Sequence, residues 1–542
     1  MKPSIISLTL LAGLVVGCSK TPDSVPVAAV LSKATSVALP ARAASGFMRS
    51  DDGVAWNLAA TDADVDAAFA LAKAESKPVF VYWGAKWCPP CNQVKATLFN
   101  RADFIERSRA FVPVYVDGDS PGAQKLGARF KVSGYPTMLL FSPNGTELTR
   151  LPGEVDPKVY TEVLTLGMNA QRPVKDVLAQ VRGGGQGLTQ SDWRLLAFYS
   201  WDTDHQQLVP KDGVPALLKE LAAASPTDQP EIRTRLQLKA LAAVDEKAPA
   251  RPDPAAQAAL LALLADPAAS RTQTDVLTSY ATDITRALSV RGTPQRKALM
   301  QGFEAALKRF EGDATLSRAD RMGALNARVD LAKIDAPKNA KVALPAPLLA
   351  DVREQTARAD REITDGYERQ AVITSAAYLL EDAGLMADSD ALLKANLNRS
   401  HSPYYLMSAL ASNAKKRGDK AEALRWYEDA FNTSEGPATR LQWGASYLSA
   451  LVELSPKDEA RIEKAARLLF TEASALPDAF YERSGHSLQR VGTRLQGWNK
   501  AGAHTATIGR LQAQLDGVCG ALDPVDPNRA KCEGLLRPPA KA

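Results

Sequence analysis

Short apolar runs separated by polar segments dominate the first part of the chain. Residues 79–83 and 111–116 are two such runs, and their length and composition are typical of buried strands. Two further runs, at 137–141 and 146–151, flank a Pro-Asn-Gly segment that is typical of a hairpin turn. A helical pattern with capping-box spacing at its start precedes the first run, at 61–77. The pattern predicts an α/β domain: a helix, a β-α-β unit, a helix, a hairpin and a last helix.

The pattern changes near residue 170, where apolar residues begin to recur at helical spacing and strand signals almost disappear. A register of 34 residues relates Gly384 to Gly418, Asn398 to Asn432, Ser400 to Ser434, and Pro403 to Pro437. This period resembles that of tetratricopeptide repeats over residues 370–478. The spacing then lengthens to 43 residues, which predicts an insertion near 454–463. An all-α helical-repeat domain is therefore expected over residues 171–515.

The N-terminus has the features of a secretory signal. Its apolar run is too short to span a bilayer and closes on Val-Val-Gly-Cys. This ending resembles a bacterial lipobox, which implies that residues 1–18 are a lipoprotein signal peptide and that Cys18 is lipidated. A plain signal peptide with an incidental cysteine is the alternative. The resemblance places the protein in the bacterial periplasm; Ser19 favours the outer membrane over the inner one. Residues 19–53, rich in Ala, Ser, Val and Pro, are expected to form a flexible tether.

Composition argues against several classes of protein. The 66 basic and 61 acidic residues nearly balance, and because there is no long basic block we expect no nucleic-acid partner. The four histidines show no metal-ligand spacing, so neither a metal centre nor a cofactor is expected. The folded part is divided into an α/β domain at 54–170, the helical domain, and a C-terminal tail at 516–542.

The first predicted strand leads directly into Trp87 and the motif Cys88-Pro89-Pro90-Cys91. In a strand-CxxC-helix arrangement, the first cysteine lies at a helix N-terminus, where unpaired backbone N–H groups stabilise a thiolate. Cys88 is therefore the candidate nucleophile. Cys91 lies one helical turn further on, where it can attack a mixed disulfide formed at Cys88.

Two further cysteines lie in the tail. Cys519 and Cys532 bracket a segment with two prolines that is predicted to be a loop and not a helix. We expect a structural disulfide between them, which would contribute about 3 kcal/mol in the chain-entropy model. An internal exchange partner for Cys88 is the functional alternative. A zinc site from four thiols is disfavoured, because only one pair has the required two-residue spacing.

The order of elements, the Trp-Cys-x-x-Cys motif and the segment Gly134-Tyr135-Pro136-Thr137 together resemble the thioredoxin superfamily over about 110 residues. Within it, the stretch from Lys73 to Trp87 looks most like the C-terminal domain of DsbD reductases and similar periplasmic domains. The resemblance implies a cis peptide bond before Pro136. Proline is almost the only residue type that tolerates such a bond. It also assigns the substrate groove to Trp87, Pro89, Pro90 and Pro136.

Two features depart from the family pattern. Thioredoxins hold a buried aspartate and a lysine beneath the motif, and the aligned positions here are taken to be Val81 and Pro113. The usual proton acceptor is therefore expected to be missing. Lys86 and Lys95 lie near the motif, and two cations near a thiolate would lower its pKa and make the disulfide more oxidising. Both lysines could equally be solvated, so the direction of electron flow stays open.

These features predict a membrane-anchored thiol:disulfide oxidoreductase, a reductase or isomerase that acts on protein disulfides. Its expected partners are protein thiol or disulfide substrates, a redox partner that recycles the motif, and the membrane through the lipid. Helical repeats commonly bind peptides or proteins on a concave face, which suggests recruitment of a partner. The alternative is a non-enzymatic envelope assembly protein, in which the helical repeats carry the function and the thioredoxin fold is a docking module.

Overall fold

The computed structural model describes residues 48–49, 53–132, 134–153, 156–204, 207–245, 248–337, 340 and 342–537. The predicted signal peptide, the lipidation of Cys18 and nearly all of the predicted tether lie outside these residues. Within the described part of the chain, no helix is long and apolar enough to cross a membrane.

A six-stranded mixed sheet forms the centre of the N-terminal domain. Its strands are β1 (Met48–Arg49), β2 (Ala55–Leu58), β3 (Val79–Gly84), β4 (Val112–Asp117), β5 (Thr137–Phe141) and β6 (Glu147–Leu151). The order across the sheet is β1-β2-β4-β3-β5-β6. Strands β2, β4 and β3 are parallel, whereas β5 and β6 form an antiparallel hairpin beside β3. The sequence did not predict β1 and β2, because β2 is short and only Trp56 in it is fully buried.

Within the described residues of this domain, five helices lie against the sheet. They are α1 (Asp62–Glu75), α2 (Pro89–Val94), α3 (Ala102–Arg107), α4 (Ala123–Phe130) and α5 (Pro157–Met168). Helix α1 begins with the capping box expected from its sequence, in which Thr61 and Asp64 satisfy each other's backbone N–H groups. Helix α2 continues as a π-helical turn, Lys95–Phe99. The predicted thioredoxin-like fold is therefore confirmed.

The rest of the described chain is helical, as predicted. The helices are α6 (Val174–Arg182), α7 (Gln190–Phe198), α8 (Val214–Ala224), α9 (Pro230–Ala242), α10 (Pro254–Ala265), α11 (Pro267–Arg271), α12 (Thr274–Ser279), α13 (Ala281–Leu288), α14 (Pro294–Gly312), α15 (Arg318–Ala332), α16 (Ala346–Glu362), α17 (Gly366–Asp382), α18 (Met386–Asn396), α19 (Pro403–Arg417), α20 (Lys420–Thr433), α21 (Pro437–Leu454), α22 (Glu459–Ser474), α23 (Glu482–Trp498), α24 (Thr505–Gly520) and α25 (Arg529–Glu533).

The 34-residue register corresponds to successive helix pairs. Pro403 and Pro437 are the first residues of α19 and α21, where a missing N–H costs no hydrogen bond. Gly384 and Gly418 follow α17 and α19 in the left-handed conformation that ends many helices. The 43-residue spacing exceeds the period by nine residues. Helix α21 is three residues longer than α19, and the turn before α22, at 455–458, is two residues longer than the turn before α20. The other four extra residues lie at the start of α22, so the added length near 454–463 is partly helical.

The apolar core does not end at the boundary between the two regions. One cluster of buried side chains extends from Phe80 in β3 through Val177 in α6 to Leu236 in α9. The first helices after residue 170 therefore pack on the α/β domain and continue its core.

The tail cysteines are joined by a disulfide with a Cα–Cα distance of 5.6 Å. The expectation that they flank a loop is wrong in one respect: Cys519 lies in the last turn of α24 and Cys532 lies in the short helix α25. The two prolines occupy only the turn between these helices, so they leave the helical conformation of both cysteines intact.

Candidate active site

The motif cysteines lie where β3 passes into α2. Cys88 is the N-cap residue of α2, and Pro89 and Pro90 occupy its first two positions. Prolines there lose no helical hydrogen bond and fix the backbone at the helix start. Cys88 and Cys91 form a disulfide with a Cα–Cα distance of 5.2 Å, and the backbone N–H of Cys91 donates to Cys88 Sγ over 3.2 Å. A thiolate at Cys88 would therefore be stabilised by this N–H and by the helix dipole.

The loop before Cys88 is fixed by a buried amide. Asn92 Nδ2 donates to the carbonyl oxygens of Lys86 and Cys88, each over 2.8 Å. Cys88 is only 3% exposed and Cys91 is fully buried. The disulfide is thus held rigidly and is nearly closed to solvent.

A cis peptide bond joins Tyr135 and Pro136. The Tyr135 hydroxyl accepts a hydrogen bond from Gln124 Nε2 over 2.9 Å, and burial raises its pKa. Arg483, from α23, lies 5.3 Å from the Tyr135 ring and 5.1 Å from the Trp87 ring. The guanidinium group of Arg483 therefore lies beside both the loop that precedes Pro136 and the loop that precedes Cys88.

The sequence predicts Val81 beneath the cysteines, but the structure has a different residue there. Val81 belongs to the core on the opposite face of the sheet, whereas Tyr82 belongs to the cluster that contains both cysteines. The Tyr82 ring stacks on Tyr115 with their centroids 5.2 Å apart, and burial raises the pKa of Tyr115 well above its usual value. Two tyrosines thus occupy the face of the sheet where an acid was sought.

The two lysines near the motif have different surroundings. Lys86 forms a 3.0 Å ion pair with Glu435, but both side chains are more than half exposed, so the pair contributes little. Lys95 Nζ lies over the rings of Tyr115 and Tyr367, at 5.4 and 5.2 Å from their centroids. Lys86 therefore contacts the helical region, and Lys95 lies between that region and the α/β domain.

Trp87 is enclosed by aromatic residues of the helical region. Its ring stacks on Tyr405 at 5.7 Å and lies 5.5 Å from Trp443. Gln370 Nε2 donates to the Trp87 carbonyl oxygen over 3.2 Å. The sequence predicts no site role for Tyr405 or Trp443, since aromatic residues at helical spacing usually fill a core.

Polar contacts join the two regions beside this aromatic cluster. Asp119, just after β4, accepts hydrogen bonds from the backbone N–H of Thr439 at 2.8 Å and from Arg483 Nη2 at 2.7 Å. Asp478 accepts from the backbone N–H of Gln124 at 2.8 Å, and burial raises the pKa of this carboxyl. No sequence signal pointed to these residues, because their partners lie more than 300 positions away.

Comparison with known proteins agrees with this geometry. Residues 65–167 match a family model described as a thioredoxin-like domain. Residues 65–167 form a thioredoxin-like domain. The thiol:disulfide interchange protein DsbD 1 of Pseudomonas aeruginosa is 31% identical over 113 residues, and DsbD of Pseudomonas fluorescens is 28% identical over 112 residues. Each alignment covers 20% of this chain and 19% of the relative. The chain therefore spans about a fifth of the length of these curated relatives.

Proposed function

We propose that this protein is a thiol:disulfide oxidoreductase that acts on protein disulfides through Cys88 and Cys91. The observation that carries the proposal is the Cys88–Cys91 disulfide at the start of α2 in a thioredoxin-like domain. Both relatives named above are thiol:disulfide interchange proteins, and each is similar to this chain over a stretch about as long as the thioredoxin-like domain.

In the reductive direction, the Cys88 thiolate attacks one sulfur of a substrate disulfide and the other substrate sulfur leaves as a thiolate. Cys91, as a thiolate, then attacks Cys88 Sγ in the mixed disulfide, which releases the second substrate thiol and forms the Cys88–Cys91 disulfide. Two electrons pass to the substrate, so a dithiol partner must reduce the motif again. Oxidation and isomerisation use the same residues.

The substrate groove in this proposal is lined by Trp87, Pro89, Pro90 and Pro136. Pro136 would hold the partner chain in an extended conformation beside the motif. The proposed location is the bacterial periplasm, with the chain anchored through lipid on Cys18 to the outer or the inner membrane. Support for the location comes from the sequence of residues 1–18 alone.

One observation favours the second candidate function, that of an envelope assembly protein with a thioredoxin fold used for docking. Cys88 is 3% exposed and the helical region contacts the residue beside it. A disulfide that no partner reaches would serve as a structural bond.

The reduction potential of the Cys88/Cys91 pair separates these functions. The full chain is equilibrated in glutathione buffers and the redox state of each cysteine pair is determined by mass spectrometry of its peptides. A midpoint near −270 mV indicates a reductant, and one near −120 to −180 mV indicates an oxidase or isomerase, the values being approximate. A Cys88/Cys91 pair that stays oxidised under all these buffers would reject the oxidoreductase and leave the assembly protein.

A further inference from the structure

The helical region covers the face of the thioredoxin-like domain where a substrate would bind. Its side chains contact three separate segments: Trp87 before the motif, Asp119 after β4, and Tyr135 before the cis bond. Arg483 contacts all three of them. Disulfide exchange requires that an incoming sulfur reach the attacked sulfur directly. A protein substrate therefore has no approach to Cys88 while these contacts are made.

We propose that helices α19, α21 and α23 form an autoinhibitory cover over Cys88 and that the cover must open before a protein substrate can react. This inference rests on the proposed function. The contact between the cover and the thioredoxin-like domain is centred on three residues, Asp119, Thr439 and Arg483, which we call the clasp.

The clasp couples the cover to the domain through a helix terminus. Helix α21 has no side-chain cap of its own, because Gly436 stands at its N-cap. The Asp119 carboxylate takes that place: it accepts from the backbone N–H of Thr439 at 2.8 Å and from the Thr439 hydroxyl at 2.7 Å. A carboxylate at a helix N-terminus is favoured by the helix dipole. The α/β domain thus supplies the cap that α21 lacks, and opening the cover removes it.

Steric fit at the same point is close. Gly436 has φ +85°, and a Cβ atom built on it would lie 2.7 Å from the Asp119 Cβ. Real Cβ atoms do not approach so closely, so a side chain at this position must push the cover away from the domain. The positive φ favours glycine in any state, and the close approach of Asp119 adds a steric requirement that holds only in the closed state.

The contact between the cover and the domain also buries polar groups that have no hydrogen-bond partner. Such a contact is easier to open than an apolar core. Among the described residues, Arg483 Nε and Nη1 are buried without a hydrogen-bond partner, as are the indole N–H groups of Trp87 and Trp443. Buried donors without partners destabilise the state that buries them. Opening would return them to water, so these residues favour a cover that is closed but releasable.

The rate of alkylation of Cys88 tests the cover. The full chain carrying Cys91→Ser, which keeps Cys88 as a free thiol, is treated with iodoacetamide at pH 9.5, and the Cys88 peptide is followed by mass spectrometry. Arg483→Met removes the clasp cation, and Gly436→Ala inserts a methyl group as a wedge. Arg510→Met is the matched arginine control, since Arg510 is half exposed and pairs with Glu463 away from the site. Gly292→Ala is the matched glycine control, because Gly292 also has a positive φ, +79°, and a Cβ there meets no atom within 4 Å.

We expect folded parent protein to react at least about tenfold more slowly than the same protein unfolded in guanidinium, and each clasp variant to react about tenfold faster than the parent. Both controls should react at the parent rate. The pH lies above the ordinary thiol pKa of about 8.5, so that the free thiol is largely ionised in every variant and faster alkylation reports opening. Circular dichroism of each variant shows that the helices remain folded.

Two results would overturn the proposal. One is a parent rate equal to that of the unfolded protein. The other is a folded Gly436→Ala protein that reacts at the parent rate, and this variant decides the matter if Arg483→Met does not fold. Neither result bears on the proposed function, which stands or falls with the dithiol–disulfide transition of Cys88 and Cys91 measured separately.

Discussion

The two disulfides of this protein are almost equally buried, yet they lie in very different surroundings. Cys88 and Cys91 are 3% and 0% exposed, and Cys519 and Cys532 are 1% and 0% exposed. The tail pair lies in an apolar cluster with Leu511, Leu515, Leu535 and Leu536, all close to it in sequence. Cys88 lies at a helix N-terminus, under residues that come from more than 300 positions away.

Burial therefore does not distinguish the disulfide proposed to be redox-active from the tail disulfide. What differs is the stabilisation of a thiolate and the nature of the cover. Both pairs lie in apolar clusters, which disfavour a thiolate, but a thiolate at Cys88 is also stabilised by the helix N-terminus and by the Cys91 backbone N–H. The cover over Cys88 includes one largely buried ion pair, between Arg483 and Asp119, and donors without partners, and a cover of that kind can be released without unfolding a core.

The largest expected difference between the two disulfides is in the rate of protein disulfide reduction. We expect Cys88→Ser to lower the rate of protein disulfide reduction by about a thousandfold or more, because the attacking sulfur is lost. The double variant Cys519→Ser, Cys532→Ser should keep the parent rate. Insulin reduction by the full chain, with dithiothreitol as electron source, measures both. Equal losses in the two variants would show that the pairs do not differ in role.

Stability, in contrast to activity, should depend on the tail disulfide. Removing the tail disulfide with Cys519→Ser and Cys532→Ser should lower the free energy of unfolding of the C-terminal helices by about 3 kcal/mol, since the bond closes a short loop. Urea unfolding followed by circular dichroism under non-reducing conditions measures this loss. A free energy unchanged by the double substitution would mean that the apolar cluster alone holds α24 and α25 together.

Much of the fold follows from local pattern, and it was predicted for that reason. The strands that carry the motif, the hairpin and the capping box at Thr61 each depend on residues within a few positions of one another. The assignment of Val81 to the position beneath the cysteines failed by a single residue, and in a strand one residue reverses the face. Tyr82 is the side chain that shares the face of the motif.

The cover could not be predicted, because nothing local marks it. Tyr405 and Trp443 have the spacing of core aromatic residues, and in the structure they are largely buried as such residues would be, but against Trp87 of another region. The pairing of Asp119 with Arg483 joins two unremarkable charges separated by 364 positions. Only the three-dimensional arrangement shows that these residues meet at the candidate site.

The smallest effect we predict concerns the charge near the motif. Asp117 ends β4, and burial raises the pKa of its carboxyl, although the hydrogen bond from the Asp119 backbone N–H opposes this shift. The folded state therefore binds the proton more tightly than the unfolded state, and unfolding free energy falls as pH rises from the unfolded pKa through the raised folded pKa. Asp117→Asn removes this penalty and keeps an oxygen that accepts from the Asp119 backbone N–H at 3.0 Å.

We expect Asp117→Asn to be more stable than the parent at pH 7, because burial penalises the ionised carboxylate and not the neutral amide. The difference should shrink as pH falls and vanish below the ordinary carboxyl pKa, where both proteins are neutral at this position. Urea unfolding at pH 7 and at pH 3.5 measures it. The exposed pair of Glu463 and Arg510 provides a control with the reverse sign, because hydrogen bonds from Arg510 lower the pKa of Glu463 to about 2. A variant Glu463→Gln should thus lose stability at pH 7, and a gain there would show that hydrogen bonding and burial do not act on these carboxyls in opposite directions.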